Sequence, residues 1–178
     1  MEKILLISGS PRQGNTDLIL NKVIEGLHGF DTEMILLRGS KVGHCNGCLQ
    51  CKDVDKCPLD DDAQKINDKL LEADVIVIGT PNYFDSVPGL VKDFIDRTNP
   101  FYHTDKLKGK KVLNIVVGGG KKENSQKVID GPLSFFAAAH GLENIGNYIF
   151  QGLHIGDVEQ DEDFEENIRK IIKTIRNI

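Results

Sequence analysis

Short apolar runs alternate with amphipathic helical patterns along the chain, and this alternation constrains the fold more than any other feature. Five runs predict strands, at 4–7, 32–37, 74–79, 112–117 and 144–150. Helical patterns follow at about 15–27, 60–73, 89–98, 125–139 and 161–176, and Asn15 or Thr16 is the expected cap of the first. Because a helix follows each strand, the crossovers should be right-handed and the sheet parallel.

This pattern predicts an α/β protein with a flavodoxin-like, doubly wound sheet of five parallel strands in the order 2-1-3-4-5 and helices on both faces. The 178 residues fit one domain over 1–178, with a cysteine-rich insertion at about 39–60. Ligands of such sheets bind at the carboxyl ends of the strands, where the first and third strands adjoin. The loops at 8–16, 80–88 and 118–123 are therefore the expected binding loops.

The net charge and the lengths of the apolar runs argue against several classes of function. A net charge of −5 argues against a nucleic-acid binder, which normally carries a basic face. No apolar run approaches the roughly 20 residues of a membrane span, so no membrane association is expected. Lys3 leads directly into the apolar run Ile4–Ile7 and then a glycine loop, without the pattern of a signal peptide. We therefore expect a cytoplasmic protein.

The first loop, at 8–16, has the composition of a phosphate site. It lies between a buried strand and a helix N-terminus, where backbone N–H groups and the helix dipole attract anions. Ser10, Arg12, Asn15 and Thr16 add side-chain donors suited to a terminal phosphate. The loop matches neither the dinucleotide fingerprint nor the P-loop, so a monophosphate is favoured. The alternative is an ordinary polar strand-to-helix turn.

The other two loops carry groups suited to a flat ring. Pro81 predicts a sharp exit from the third strand, and Tyr83 and Phe84 offer apolar surface, although core packing is the alternative for both. The run Gly118–Gly120 would let backbone amides approach a ligand closely.

All four cysteines fall within 45–57 with the spacing C-x2-C-x2-C-x5-C. Thiolates two residues apart on a glycine-containing loop can converge on one iron–sulfur cluster, whereas zinc sites usually use two separated pairs. Free thiols remain an alternative, and a disulfide is the poorest fit in the cytosol. The histidines away from this stretch show no metal-binding spacing; they are His28, His103, His140 and His154.

Three segments together resemble the NADPH-dependent FMN reductase family: 9–16, 79–97 and 118–120. The resemblance implies that the donors of the first loop hold the FMN phosphate, and that the isoalloxazine ring lies between the second loop and the glycine run. The implied FMN residues are Ser10, Arg12, Asn15, Thr16, Pro81, Asn82, Tyr83, Phe84, Gly118, Gly119 and Gly120. Arg97, which ends the second segment, is expected to be structural.

Within that family the cysteine spacing resembles the iron–sulfur flavoproteins. This resemblance implies that Cys45, Cys48, Cys51 and Cys57 bind a [4Fe–4S] cluster beside FMN. It implies an oxidoreductase that takes electrons from ferredoxin or a similar carrier, and a homodimer or homotetramer. The runner-up is a cluster-free reductase that reduces FMN or quinones with NAD(P)H. A third possibility is a flavodoxin-like carrier that turns over no substrate.

Overall fold

The five strands form one parallel sheet. In this computed structural model, which describes residues 1–54, 56–102 and 104–178, the strands are β1 (Lys3–Ser8), β2 (Asp31–Leu36), β3 (Val75–Pro81), β4 (Lys111–Gly118) and β5 (Glu143–Gln151). Their order is β2-β1-β3-β4-β5, and every neighbouring pair is parallel. The predicted fold class and strand order are confirmed. The expectation for His103 lies outside the described residues.

The two faces of the sheet are buried in two separate cores. Along β1, Leu5 and Ile7 pack into one core, and Ile4 and Leu6 into the other. All four are at most 3% exposed. Side chains alternate between the faces of a strand, so a strand covered on both sides needs the continuous apolar run seen in the sequence.

The described residues form seven α-helices, and all but the second contribute to these two cores. They are α1 (Asn15–Gly26), α2 (Cys51–Val54), α3 (Ala63–Glu72), α4 (Gly89–Arg97), α5 (Lys122–Val128), α6 (Ser134–Ala139) and α7 (Phe164–Arg176) among the described residues. The single helix predicted at 125–139 begins at Lys122 and contains a π-helical turn, Ile129–Leu133. Pro132 lies in this turn, and because it has no N–H, it cannot continue the regular hydrogen-bond ladder.

The predicted cap of α1 is wrong. Gly14 is the N-cap residue, in extended conformation, and α1 has no side-chain cap hydrogen bond. The reason is a tertiary contact: the side chain of Asn15 turns away from the helix and bonds to the segment after β5.

The strand register brings the binding loops to one edge. Ser8 at the end of β1 pairs with Gly79, and Pro81 at the end of β3 pairs with Val117. The loops that leave these strands therefore begin side by side. Among the described residues, no helix is both long and apolar enough to cross a bilayer.

Candidate functional site

A cleft opens where β1, β3 and β4 end, at the edge that the strand order predicts. Its walls come from the loop after β1, the turn after β3, the end of β4 and the segment after β5. The structure brings most of the predicted cofactor residues into its lining, namely Ser10, Arg12, Asn15, Thr16, Pro81, Asn82, Tyr83 and Gly119. The lining also includes Gly14, Val117, Gly152 and Leu153, which sequence reasoning did not select.

The loop after β1 is held tightly at its start. The hydroxyl of Ser10 donates to the carbonyl of Arg12 at 2.6 Å, and the backbone N–H of Gly9 donates to the carbonyl of Gly79 at 2.7 Å. Thr16 is only 2% exposed, whereas Arg12 is exposed. The first N–H groups of α1 have no partner within the helix, so this fixed loop presents donors and one cation to the cleft.

A buried carboxylate lies next to this loop. Asp17, 4% exposed, accepts a hydrogen bond from the hydroxyl of Ser8 at 2.5 Å. The guanidinium of Arg38 lies 2.9 Å from its Oδ2. This arginine follows β2 at the same edge of the sheet and supplies the opposite charge that a buried carboxylate requires. Neither Asp17 nor Arg38 was selected from the sequence, although an acidic residue in a helix's first turn is a usual signal.

The segment 152–157, after β5, forms a wall that the sequence did not indicate. The amide of Asn15 donates to the carbonyl of His154 and accepts from the N–H of Gly156, both at 2.7 Å. Arg12 donates to the carbonyl of Leu153 at 2.9 Å. Two predicted phosphate residues therefore also fasten this wall. The available signal was topological, since β5 ends at the same edge as β1 and β3.

Asn82 anchors the turn after β3. Its backbone N–H donates to the carbonyl of Val117 at 2.7 Å, and its side-chain amide donates to Ser125 at 3.3 Å. Its Oδ1 is buried and has no hydrogen-bond partner among the described residues. Buried acceptors are normally satisfied, so this oxygen, on a residue that lines the cleft, suits an N–H donor of a bound ligand.

The tip of this turn is exposed. Tyr83 and Ser86 exchange backbone hydrogen bonds at 2.9 and 3.0 Å, which closes a tight turn. Its central residues, Phe84 and Asp85, have φ of 53° and 58°. Phe84 projects fully into solvent and is absent from the cleft lining, and Tyr83 is 44% exposed. Neither aromatic ring is part of the core, which was the alternative for both.

The glycine run ends β4 in close contact with its neighbours. A Cβ at Gly118 would lie 2.3 Å from the hydroxyl oxygen of Ser125, and one at Gly119 would lie 2.7 Å from Cδ1 of Leu153. A side chain at either position would displace the partner of Asn82 or the wall after β5. Gly119 lines the cleft, while Gly118 and Gly120 do not.

All four cysteines line one small, apolar cavity apart from the cleft, and the two share no lining residue. The thiols are free: Cys51 is buried, Cys57 is half-buried, and Cys45 and Cys48 are exposed. The donor set has the chemistry of an iron–sulfur site. As placed, however, no three Cys, His, Asp or Glu side chains in the described ranges are close enough together to hold a metal.

Arg97 fastens both ends of the cysteine segment. Its guanidinium, 1% exposed, donates to both carboxylate oxygens of Asp61, at 2.6 and 2.9 Å, and to the carbonyl of Gly43 at 2.8 Å. Burial alone would raise the pKa of Asp61, but hydrogen bonds from Arg97, Gly43 and Ala63 hold this pKa below its ordinary value. The structural role expected for Arg97 is thus to hold together the two ends of the cysteine segment, at Gly43 and Asp61.

Two further side chains contact the cysteine segment. The amide of Asn99 donates to the sulfur of Cys51 at 3.0 Å. The exposed ring of His44 lies 2.6 Å from Asp93, and that carboxylate raises the pKa of His44 through a hydrogen bond and charge. Sequence reasoning did not select Asn99, because the contact joins residues 48 positions apart.

The family is decided by comparison with known proteins. The model of the NADPH-dependent FMN reductase family matches residues 2–150. The chain belongs to this family. An iron–sulfur flavoprotein of Methanocaldococcus jannaschii is 35% identical over 148 residues, covering 82% of this chain and 76% of that protein. An iron–sulfur flavoprotein of Methanosarcina thermophila is 32% identical over 164 residues, covering 89% and 85%.

Solved structures agree on the fold of this FMN reductase family member. An NAD(P)H:quinone oxidoreductase from Methanothermobacter marburgensis superimposes with a TM-score of 0.76 at 18% identity, covering 99% of this chain and 95% of that one. The family and the fold together identify a flavin-dependent oxidoreductase with FMN as its cofactor.

Proposed function

We propose that this FMN-dependent oxidoreductase transfers electrons between FMN and a [4Fe–4S] cluster bound by Cys45, Cys48, Cys51 and Cys57. The observation that carries the proposal is that all four thiols line a single apolar cavity. The two relatives described above are named iron–sulfur flavoproteins. We further propose that residues 1–178 act as one domain with 39–60 as its cysteine-rich insertion, in a cytoplasmic homodimer or homotetramer.

The cleft is the proposed FMN site. Ser10, Arg12 and Thr16 would hold the phosphate together with the first N–H groups of α1, to which Asn15 contributes its backbone. The isoalloxazine ring would lie against the turn that contains Asn82, with the glycine run on its other side. FMN supplies the conversion between two-electron and one-electron transfer. The chain's part is to bind and orient it, and the unsatisfied Oδ1 of Asn82 fits a ring N–H.

The remaining proposed ring contacts come from the same turn and from β4. Pro81 and Tyr83 line the cleft and offer apolar surface to the ring. Phe84, at the exposed tip of the turn, would approach FMN bound by a neighbouring subunit or close over the cleft. Gly118, Gly119 and Gly120 would bring backbone amides toward the ring edge.

The cysteine cavity is the proposed cluster site. Cys51 is buried and Cys57 is half-buried, while Cys45 and Cys48 are exposed on a stretch without helix or strand. The two exposed thiols can therefore turn toward the other two without breaking regular structure. A cluster held there would supply single-electron transfer to or from ferredoxin or a similar carrier.

Helix α4 connects the two sites. It begins just after the turn beside the cleft and ends at Arg97, which lines the cysteine cavity. Nine helical residues span about 13 Å from the turn beside the cleft to the cysteine cavity. We propose transfer within one chain or across a subunit contact.

A second candidate is a cluster-free reductase that uses NAD(P)H to reduce FMN or quinones. It is favoured by the placement of the thiols, which do not converge as a metal site in the described residues. One similar solved structure is that of an NAD(P)H:quinone oxidoreductase.

Flavin reduction by two donors distinguishes these candidates. The anaerobic protein would be mixed with reduced ferredoxin or with NADPH while the flavin absorbance is followed. We expect rapid reduction by ferredoxin, and a large loss of that rate in Cys48→Ser. Rapid reduction by NADPH that Cys48→Ser does not change would instead support the cluster-free reductase.

A further inference from the structure

Cys51 differs from the other three cysteines in its surroundings. It is 8% exposed, it begins α2, and its sulfur accepts a hydrogen bond from the side-chain amide of Asn99 at 3.0 Å. Cys45 and Cys48 are exposed, on the stretch before that helix. Cys51 is therefore the buried thiol of the four, and its sulfur has a side-chain donor beside it.

Asn99 is held on a rigid support. It begins the 3-10 turn Asn99–Phe101, whose other two residues are buried. Thr98 before it is 1% exposed, and its carbonyl accepts the N–H of Phe101 at 2.9 Å. The amide of Asn99 is thus positioned by the core rather than by the cysteine segment.

The same short stretch fixes the base of the cysteine segment. Arg97, two residues earlier, bonds to Asp61 and Gly43, on either side of the four cysteines. Residues 97–99 therefore present N–H donors toward the segment from outside it.

Donors aimed at a sulfur ligand favour the more negative redox state. An N–H group stabilises negative charge on the sulfur, and a reduced cluster carries one more negative charge than an oxidised one. Removing such a donor lowers the reduction potential without removing a ligand.

We infer that Asn99 is a positioning residue that raises the reduction potential of the cluster through its hydrogen bond to Cys51. This inference rests on the proposed function, in which the cysteines bind a cluster. Asn99 binds no iron in this role. It acts through the sulfur of Cys51, and its effect is on potential rather than on cluster assembly.

The test is a redox titration of the anaerobically purified holoprotein and its Asn99→Leu variant, which is similar in size and has no donor. We expect the reduction equilibrium of the cluster to become about tenfold less favourable, which is 59 mV for a one-electron couple. Asn99→Asp, which keeps the size and shape, should shift the potential in the same direction. The FMN potential of each protein is the internal reference.

Asn67→Leu is the matched control. Asn67 is 2% exposed and donates to the carbonyl of Arg97 at 3.0 Å, so it belongs to the same hydrogen-bonded region but bonds to no sulfur. Its replacement should leave the cluster potential unchanged.

The outcomes separate this inference from the proposed function. Wild-type protein without iron would overturn both. Iron-loaded wild type together with an unchanged potential in either Asn99 variant would overturn the inference alone. Loss of iron from both Asn99 variants, with FMN retained, would also overturn it, because Asn99 would then act in assembly.

Discussion

The guanidinium of Arg97 holds both carboxylate oxygens of Asp61, at 2.6 and 2.9 Å, and this pair closes the base of the cysteine segment. Arg97 ends α4, while Asp61 lies just before α3. The pair therefore joins two helices on one face of the sheet and fixes where the cysteine segment leaves and returns.

Replacing Arg97 should be strongly destabilising. Arg97→Met leaves Asp61 without its charged partner, and breaking a buried pair in this way costs about 3–5 kcal/mol in the free energy of unfolding. Urea unfolding measures this cost. The control is Lys92→Met, which removes the exposed pair of Lys92 with Asp96 and should cost less than about 1 kcal/mol. Similar losses in the two variants would contradict the role given to Arg97.

The same pair predicts a pH dependence. The pKa of Asp61 is lowered from 3.8 in the folded protein, so the unfolded chain binds its proton first as the pH falls. The stabilisation from Asp61 is therefore complete well above pH 3.8 and is lost as the pH falls through the lower, folded pKa. Unfolding free energies between pH 7 and pH 2 should fall more steeply for wild type than for Asp61→Asn. Parallel curves would exclude this contribution.

The proposed phosphate site in the loop at 8–16 is tested by comparing the binding of FMN with that of riboflavin, which lacks the phosphate. Arg12→Ala combined with Thr16→Ala should weaken FMN binding, since each lost phosphate bond is worth about 1–3 kcal/mol. Riboflavin affinity should change much less. Dissociation constants from flavin fluorescence provide the measurement. Equal losses for the two flavins would mean that these residues do not bind the phosphate.

The wall after β5 depends on Asn15. Asn15→Asp keeps the acceptor for Gly156 but removes the donor to His154. We expect a loss of about 0.5–1.5 kcal/mol in stability, because the hydrogen bond to the His154 carbonyl is lost, and faster hydrogen exchange in 152–157. Hydrogen exchange detects this directly. Asn124→Asp, on the exposed start of α5, is the control and should leave the exchange of 152–157 unchanged.

A cysteine variant tests the cluster ligands. Cys48→Ser replaces an exposed thiol, so the fold should persist and FMN should remain bound. The broad visible absorbance of the cluster should disappear, because one of its four ligands is lost. The measurement is a comparison of the visible absorbance spectra of wild type and variant. Simultaneous loss of the flavin would indicate misfolding rather than loss of a ligand.

The sequence was most informative where the chemistry is local. Apolar runs such as Ile4–Ile7 identify the strands because burial on both faces requires them. The donors in 8–16 indicate the proposed phosphate site because they lie together in the chain. Contacts between residues far apart in the sequence could not be predicted from it. Three such contacts form only once the sheet and helices are assembled: Asn15 with His154, Arg97 with Asp61, and Asn99 with Cys51.

Local propensity also failed where tertiary contacts were stronger. Asn15 has the chemistry of a helix cap, yet its amide bonds to the wall after β5 and leaves the cap position to Gly14. Tyr83 and Phe84 have the hydrophobicity of core residues, but the tight turn with positive φ at Phe84 directs them outward.

Cofactor analysis of the anaerobically purified protein shows whether one chain binds both FMN and a [4Fe–4S] cluster. Flavin, iron and acid-labile sulfide would be measured per chain on the same sample, together with the absorbance spectrum. We expect about one FMN, four irons and four sulfides per chain, as one [4Fe–4S] cluster requires. One FMN with fewer than about two irons, and all four cysteines titrating as free thiols, would contradict it.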